Sequence, residues 1–500
     1  CSAAEHPAKV TLTGTITENA TGEPVPGAQI WFPDLRRGTT SKADGGYLID
    51  DLPAVKMLVR VSMIGFATIT ETIDLATVNK RDFALAVSIT EMNEVVVTGS
   101  SKATELTHDP VPTVLLDPRY IELHASSNAI ETLNRVPGVS TLTTGPNVSK
   151  PSIRGLGYNR VLTLFDGVRQ EGQQWGEEHG VEVDQFLIER VEVVKGPASV
   201  LYGRSEPGGL VNVVPRALSA EPRLGLEQTI GQYGLSRSLI EGGGALNADK
   251  TLLGRASISY DKGGSNRDFV VNKLAAFSGT LAWVPDADTR VALTLDHNAQ
   301  KYRNDFGIPA DGNRPADLPR TRQYNDSPDL SKITSDSVLL DAQTKVAPNW
   351  TLKGRVVSMR AKTREVDIWP YRENYFLGAE TCDNSAGLTT LCRYYFYVRP
   401  EGHVRLDQAT VDLIGEVKIA GLQHKLLAEF DHYSTKKTGD VYFTQVSSVD
   451  VYNPVLGSGP ALDTSFPLPV DDHSKWTSLT LQDQIAFGGG WHGVLALRHD

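Results

Sequence analysis

From Pro222 onward, apolar and polar side chains alternate with a period of two. Ala256, Ile258 and Tyr260 fall on one face, and Arg255, Ser257 and Ser259 on the other. Val338, Leu340 and Ala342 separate from Ser337, Asp341 and Gln343 in the same way, and Ala409, Val411, Leu413 and Val417 from Thr410, Asp412, Glu416 and Lys418. Such runs are strands with one apolar face. A soluble sandwich also alternates, but the connections distinguish the two. Short turns at Asn247–Lys250, Pro285–Asp288, Ala347–Asn349, Gly421–Leu422 and Gly488–Gly490 alternate with longer, mostly irregular excursions. That asymmetry, with Trp283, Trp350 and Trp491 beside short turns, predicts about eleven strands of a membrane-spanning β-barrel.

The first part of the chain has a different rhythm. Short β-rich runs such as Ala28–Phe32 and Met57–Val61, broken by Thr21-Gly22-Glu23-Pro24 and Asp44-Gly45-Gly46, predict a small sandwich. A short apolar strand, Glu94–Gly99, leads into a polar stretch. Its free backbone suits capture by strand addition. Residues 101–217 are glycine-rich and mixed. A short helix is expected at Asn128–Leu133, ended by Pro137-Gly138, with strands at Val161–Phe165 and Glu189–Val194.

Composition sets limits. At 500 residues the chain holds more than one folded unit. No apolar run reaches the roughly 18 residues of a spanning helix. A net charge of -11 argues against a nucleic-acid partner. Cys382 and Cys392 lie close together in a Tyr-rich stretch, which predicts a loop disulfide in an oxidising compartment. Cys1-Ser2 fits a lipoprotein start or a cut chain equally well.

Four ordered blocks carry a resemblance. Ser152-Ile153-Arg154-Gly155, Leu164-Phe165-Asp166-Gly167-Val168, Ile188 to Gly203 with its Lys195-Gly196-Pro197 turn, and Gly208 to Val214 resemble the plug of TonB-dependent outer-membrane receptors. Gly22-x-Pro24-x-Pro26-Gly27-Ala28, Thr39-Thr40 and Asp44-x-Gly46-Tyr47 resemble the carboxypeptidase regulatory-like domain, a structural module without catalytic zinc. These resemblances imply a mainly β chain. Residues 1–90 are the regulatory-like sandwich, 91–100 a TonB-box-like segment (Glu94, Val95, Val96, Val97, Thr98), 101–217 an α+β plug and 218–500 an antiparallel barrel. Family barrels have about 22 strands. The first half is therefore expected here, as part of a longer protein.

The implied activity is TonB-driven import of a ferric siderophore, of the ferric-siderophore type suggested by Phe306–Asn325 and Tyr202–Gly209. It involves no enzyme activity and no cofactor of the protein's own, since iron travels within the chelate. Expected partners are TonB, the siderophore and outer-membrane lipids, with the sandwich in the periplasm. Haem, a metal ion, cobalamin, or a glycan or peptide handled with a surface lipoprotein are the alternative cargoes.

Candidate chelate contacts come from three places. Arg320, Arg322 and Tyr324 lie in one outer loop; Trp369, Tyr371, Arg372, Tyr375, Arg393 and Tyr395 lie in an aromatic excursion; Trp175, Glu178 and His179 lie in a plug loop. Aromatic faces and guanidinium forks suit a bulky anionic chelate. His179-x-x-Glu182 has the spacing of a zinc pair but lacks a companion ligand segment and a strong helical pattern. Arg154, Glu189, Arg190 and Glu192 are expected to pair with the wall or each other, as a lock between plug and barrel. A porin or adhesin would need no plug, and a carboxypeptidase-like enzyme would rest on the sandwich and His179-x-x-Glu182 alone.

Overall fold

The structure is a computed structural model. It describes all residues except 1–8, 20, 33–34, 36, 64–65, 67–68, 87–112, 117–119, 122–129, 144, 146–148, 158–159, 170–187, 197–206, 217, 372–387, 457–463 and 489–490. The chain divides into two compact units between residues 96 and 106.

Seven strands build the first unit: β1 (Lys9–Glu18), β2 (Gln29–Phe32), β3 (Arg37–Thr40), β4 (Gly46–Pro53), β5 (Lys56–Ser62), β6 (Ile69–Asp74) and β7 (Phe83–Leu85). They form two sheets, ordered β4-β1-β7 and β3-β2-β5-β6. Period-two alternation buries Met57, Val59 and Val61 of β5 against Leu12, Ile16, Ile30 and Phe32. Gly14 is obligatory. A Cβ there would lie 1.8 Å from the Arg81 carbonyl oxygen.

The second unit begins with the plug: β8 (Thr113–Leu116), β9 (Val139–Thr143), β10 (Ser149–Ile153), β11 (Val161–Phe165), β12 (Val168–Arg169), β13 (Ile188–Lys195) and β14 (Gly209–Pro215). Five of these form a mixed sheet, β12-β11-β14-β13-β8, in which β11 and β14 run parallel. The predicted helix is instead a 3₁₀ turn at Glu131–Arg135, with residues 122–129 outside the described set. Its apolar side chains explain this: Ile130, Leu133 and Val136 recur every third residue, the period of a 3₁₀ helix, and Leu133 and Val136 donate to the carbonyls three residues back.

The remainder is one large antiparallel sheet. Its strands are β15 (Arg223–Ile230), β16 (Ser236–Ala245), β17 (Leu252–Gly263), β18 (Val271–Trp283), β19 (Arg290–Arg303), β22 (Ser331–Ala347), β23 (Trp350–Arg364), β24 (Val366–Tyr371), β25 (Thr390–Ile419), β26 (Leu422–Asp450), β27 (Leu468–Gly488) and β28 (Trp491–His499), with a small hairpin of β20 (Ala310–Asp311) and β21 (Arg314–Pro315) between β19 and β22. Each strand pairs with its sequence neighbour, except that β23 pairs directly with β25 and β24 adds to β25. The two faces differ as the alternation predicts. Ile258 and Tyr260 are 61% and 46% exposed, whereas Ser257 and Ser259 are 2% and 3%.

The tight turns share one end of the sheet and the long connections the other. At one tight turn Ala420 and Gly421 have φ of 52° and 84°, which matches a two-residue hairpin turn, and Leu422 already belongs to β26. The aromatic excursion differs from a loop: β24 pairs with the start of β25, placing Trp369 opposite Tyr394 and Tyr371 opposite Cys392. Facing aromatics stabilise that pairing. With it, β25 and β26 reach 30 and 29 residues.

Candidate functional site

The plug meets the sheet at the tip of the β11–β12 hairpin. Asp166 and Gly167 have φ of 50° and 75°, so the chain reverses in two residues. The tip is held from behind: Asp166 N–H donates to the Val213 carbonyl at 2.8 Å, and Gly167 N–H to Asn212 Oδ1 at 3.0 Å. Asn212 Nδ2 donates to Glu192 Oε2 at 3.4 Å, and Arg190 Nε to Glu192 Oε1 at 2.8 Å. Glu192 and Asn212 are buried, so this chain of partners relieves a charge that would otherwise be costly to enclose.

From the front, Arg355 of β23 donates to the Asp166 carbonyl and lies 3.9 Å from its carboxylate. The same guanidinium sits 3.2 Å from Asp341 of β22, which Arg290 of β19 also reaches at 2.6 Å. Gly167 permits the approach, because a Cβ there would lie 2.7 Å from Arg355 Nη1. Beside this polar contact, Val168 packs with Leu339, Val357, Met359, Leu406 and Tyr433. Burying such a side chain contributes about 1.5–3 kcal/mol. Arg169 lies over the Trp476 ring, 5.8 Å from its centre, and that ring stacks on Tyr433 at 4.0 Å.

A second attachment follows β14. Glu241 of β16 takes Arg216 at 2.9 Å, Arg223 at 3.2 Å and Arg255 at 3.1 Å, and Arg255 also donates to the Arg216 carbonyl. The passage from plug to sheet is thereby tied to the wall.

Of the four expected lock residues, the structure brings together Arg190 and Glu192. Glu189 is half-buried, and Arg154 is exposed at a φ of 51°. The described wall contacts at the hairpin instead run through Asp166, Val168 and Arg169. In the sequence, Asp166-Gly167 stands out only as part of a plug-like block. A two-residue Asp-Gly reversal inside an enclosed domain was the available signal.

At the end with long connections, several candidates are turned into packing. Tyr324 is buried among Ala316, Leu388, Leu391, Val449 and Val451, and its hydroxyl donates to the Val451 carbonyl at 2.5 Å. Burial pushes its pKa up to about 12. Arg393 is buried against Asp326 at 2.7 Å, and the Tyr395 hydroxyl lies 3.4 Å from Ser327 Oγ. Trp369 stacks on Phe396 at 4.8 Å, and Tyr371 meets Tyr394 edge-on. Asn304 and Asn325, both buried, donate to the two oxygens of Asp367 at 2.8 and 2.6 Å, which joins the outer loop to β24. Arg320 is exposed, Arg322 half-buried, and the carbonyls of both accept from Arg267. Cys392 is buried and disulfide-bonded. Trp175, Glu178, His179, Arg372, Tyr375, Cys382 and the segment Glu94–Thr98 lie outside the described residues. Among the described residues, no three His, Cys, Asp or Glu side chains gather as a metal site.

Residues 107–210 match the family described as TonB-dependent Receptor Plug Domain, and residues 12–97 the CarboxypepD_reg-like domain. Residues 107–210 are thus similar to the plug of TonB-dependent receptors. The chain is similar to the metal-pseudopaline receptor CntO of Pseudomonas aeruginosa, 29% identical over 328 residues, covering 63% of this chain and 44% of that receptor. Its fold is similar to the ferric-catecholate import receptor Fiu of E. coli K12 in its open form, with a TM-score of 0.68 at 17% identity over 81% of this chain and 61% of that one. The pyoverdine outer membrane receptor FpvA of P. aeruginosa PAO1 also gives 0.68, at 16% identity over 80% and 58%. The chain thus spans less than half the length of the curated receptor it matches. The family comprises receptors and transporters, not enzymes. No helix among the described residues is long and apolar enough to cross a membrane, and a receptor barrel crosses with strands.

Proposed function

We propose that this chain is part of an outer-membrane importer that takes up a metal chelate of the ferric-siderophore kind, powered through TonB. The observation that carries this is the plug hairpin seated on the sheet wall at Asp166 and Arg355, beside Val168 in its apolar socket. A porin has no use for an enclosed domain held in this manner. The similar receptors named for metal-pseudopaline, ferric catecholate and pyoverdine all concern chelates, which supports the class of cargo.

In this reading the chelate binds at the long-connection end, with Arg320, Arg322 and the faces that the half-buried Trp369 and Tyr371 leave open among its contacts. Occupancy biases the plug so that Glu94–Thr98 becomes available to TonB by strand addition. The sandwich that precedes this segment sits in the periplasm. Iron is substrate, carried in by the chelate, and the protein needs no cofactor of its own. Deleting Glu94–Gly99 from the full-length receptor should abolish uptake and leave chelate binding within about two-fold; uptake at the wild-type rate would overturn the proposal. The CntO name leaves the metal unspecified, and the second reading is therefore a chelate of some metal other than iron. A binding panel of ferric siderophores, other metal chelates, haem and cobalamin, followed by tryptophan fluorescence, separates the two.

A further inference from the structure

One guanidinium reaches from the connection between β17 and β18 to three points of the connection between β19 and β22. Arg267 Nε lies 2.9 Å from Asp305 Oδ2. Nη1 of the same side chain donates to the Arg320 carbonyl at 3.1 Å and to the Arg322 carbonyl at 3.3 Å. Both partners in this ion pair are themselves fixed. Asp305 Oδ1 accepts from the Gly307 N–H at 2.8 Å, which orients its carboxylate, and the Arg267 N–H donates to Ser265 Oγ at 3.0 Å.

The stretch that carries Arg320 and Arg322 is set from two sides. Its own turn closes where the Arg322 N–H donates to the Pro319 carbonyl at 2.9 Å. From the neighbouring connection, the Asp268 N–H donates to the Thr321 carbonyl at 2.8 Å, and Asn266 Nδ2 to the Arg320 carbonyl at 3.4 Å. Three consecutive carbonyls are therefore engaged by residues 266–268, in a surface connection of the kind that usually leaves such groups to water.

The side chains are treated differently from the backbone. Arg320 is exposed and Arg322 half-buried, and among the described residues neither guanidinium has a carboxylate at ion-pair distance. Asp305 is already occupied by Arg267. Three guanidinium side chains are thus gathered around one turn with one of them neutralised, an arrangement whose mutual repulsion an incoming anion would relieve. Their planar donors match pairs of anionic oxygens, as in a catecholate or a carboxylate. Because the backbone beneath them is ordered in advance, less freedom is lost when such a group binds.

We propose that Arg267, held by Asp305, is the positioning residue that presents Arg320 and Arg322 as a clamp for anionic oxygens, so that the receptor takes anionic chelates in preference to uncharged ones. The inference rests on reading the long-connection end as the chelate site, and it narrows the class of cargo within that reading. Arg267 acts through the turn, by its forked geometry, and not through its own charge. Lysine in its place would keep the charge and lose the fork.

The test measures dissociation constants of the full-length receptor in detergent, by tryptophan quenching, for a trianionic ferric tris-catecholate and an uncharged ferric tris-hydroxamate. The wild type should hold the trianionic complex at least about ten-fold more tightly, and R320Q/R322Q should abolish that preference. R267A should weaken the trianionic complex by at least about five-fold and the uncharged one by less than about two-fold, and R267K should behave as R267A does. Should R267A fail to fold, D305N, which removes the charge that orients Arg267, gives the same readout. An unchanged preference in R267A or D305N, or wild-type affinity in R267K, overturns the proposal. A receptor that holds neither chelate refutes the chelate-importer reading itself, whereas one that holds both without regard to charge refutes the clamp alone.

Discussion

Arg355 of the wall donates to the backbone carbonyl of Asp166, 189 residues earlier, at the tip of a plug hairpin. The guanidinium is shared with Asp341, so it is already oriented before the plug arrives. Orientation by a wall partner lowers the side-chain entropy that the contact would otherwise cost.

Arg355→Ala should loosen that hairpin. Losing a charge-assisted hydrogen bond costs about 1.5–3 kcal/mol. Hydrogen exchange across residues 161–169 of the full-length receptor should accelerate, while exchange in the first unit stays constant. Unchanged protection at 161–169 would show that the apolar socket alone holds the tip.

Gly167→Ala should destabilise by about 1 kcal/mol or more, since alanine is strained at positive φ and its Cβ would press on Arg355 Nη1. The second effect vanishes when Arg355 is already alanine. A double-mutant cycle on thermal unfolding should therefore return a coupling of at least about 0.5 kcal/mol. Strict additivity would mean that only the backbone strain matters.

Tyr324→Phe leaves the buried Val451 carbonyl without its donor, at a cost of about 1–3 kcal/mol. The raised pKa has a definite sign. The stabilisation it reflects is complete below the ordinary tyrosine value and is lost as pH rises through about 12. The wild-type minus variant absorbance difference near 295 nm should titrate at about 12; a midpoint near 10 would mean the hydroxyl is not enclosed.

Asp82 carries the opposite dependence in the sandwich. It accepts from Thr15 N–H at 2.7 Å and from the Thr15 hydroxyl at 2.9 Å, and these bonds hold its carboxyl below the usual range. Its contribution is present above the unfolded carboxylate pKa and disappears as pH falls through the depressed folded value. Asp82→Asn should therefore flatten the acid side of the first unit's thermal profile, below the ordinary carboxylate range, relative to wild type.

Local patterns made much of this architecture legible. Strand alternation is a two-residue property, so Ile258 against Ser257 could be read without any tertiary knowledge. Strand Val161–Phe165 emerged from its apolar run. The 3₁₀ turn was missed because Ile130, Leu133 and Val136 also fit a helix stripe, and a difference of 0.6 residue per turn does not show over two turns. The wall partners of the plug were illegible for another reason. Asp341 and Arg355 face each other across β22 and β23, but only the tertiary fold brings Asp166 to Arg355 and Arg169 to Trp476 of β27. Arg393 and Tyr395 were selected by residue type, and residue type does not say whether a guanidinium faces a cargo or a neighbouring Asp326.

The ribbon of β25 and β26 has a consequence of its own. Thirty residues make about 100 Å of strand, while a bilayer's apolar band occupies only about ten residues of it. Two thirds of the ribbon thus answers to no lipid. In the proposed outer-membrane setting that part of the ribbon stands clear of the apolar band, so its sequence can change without meeting any demand that lipid makes.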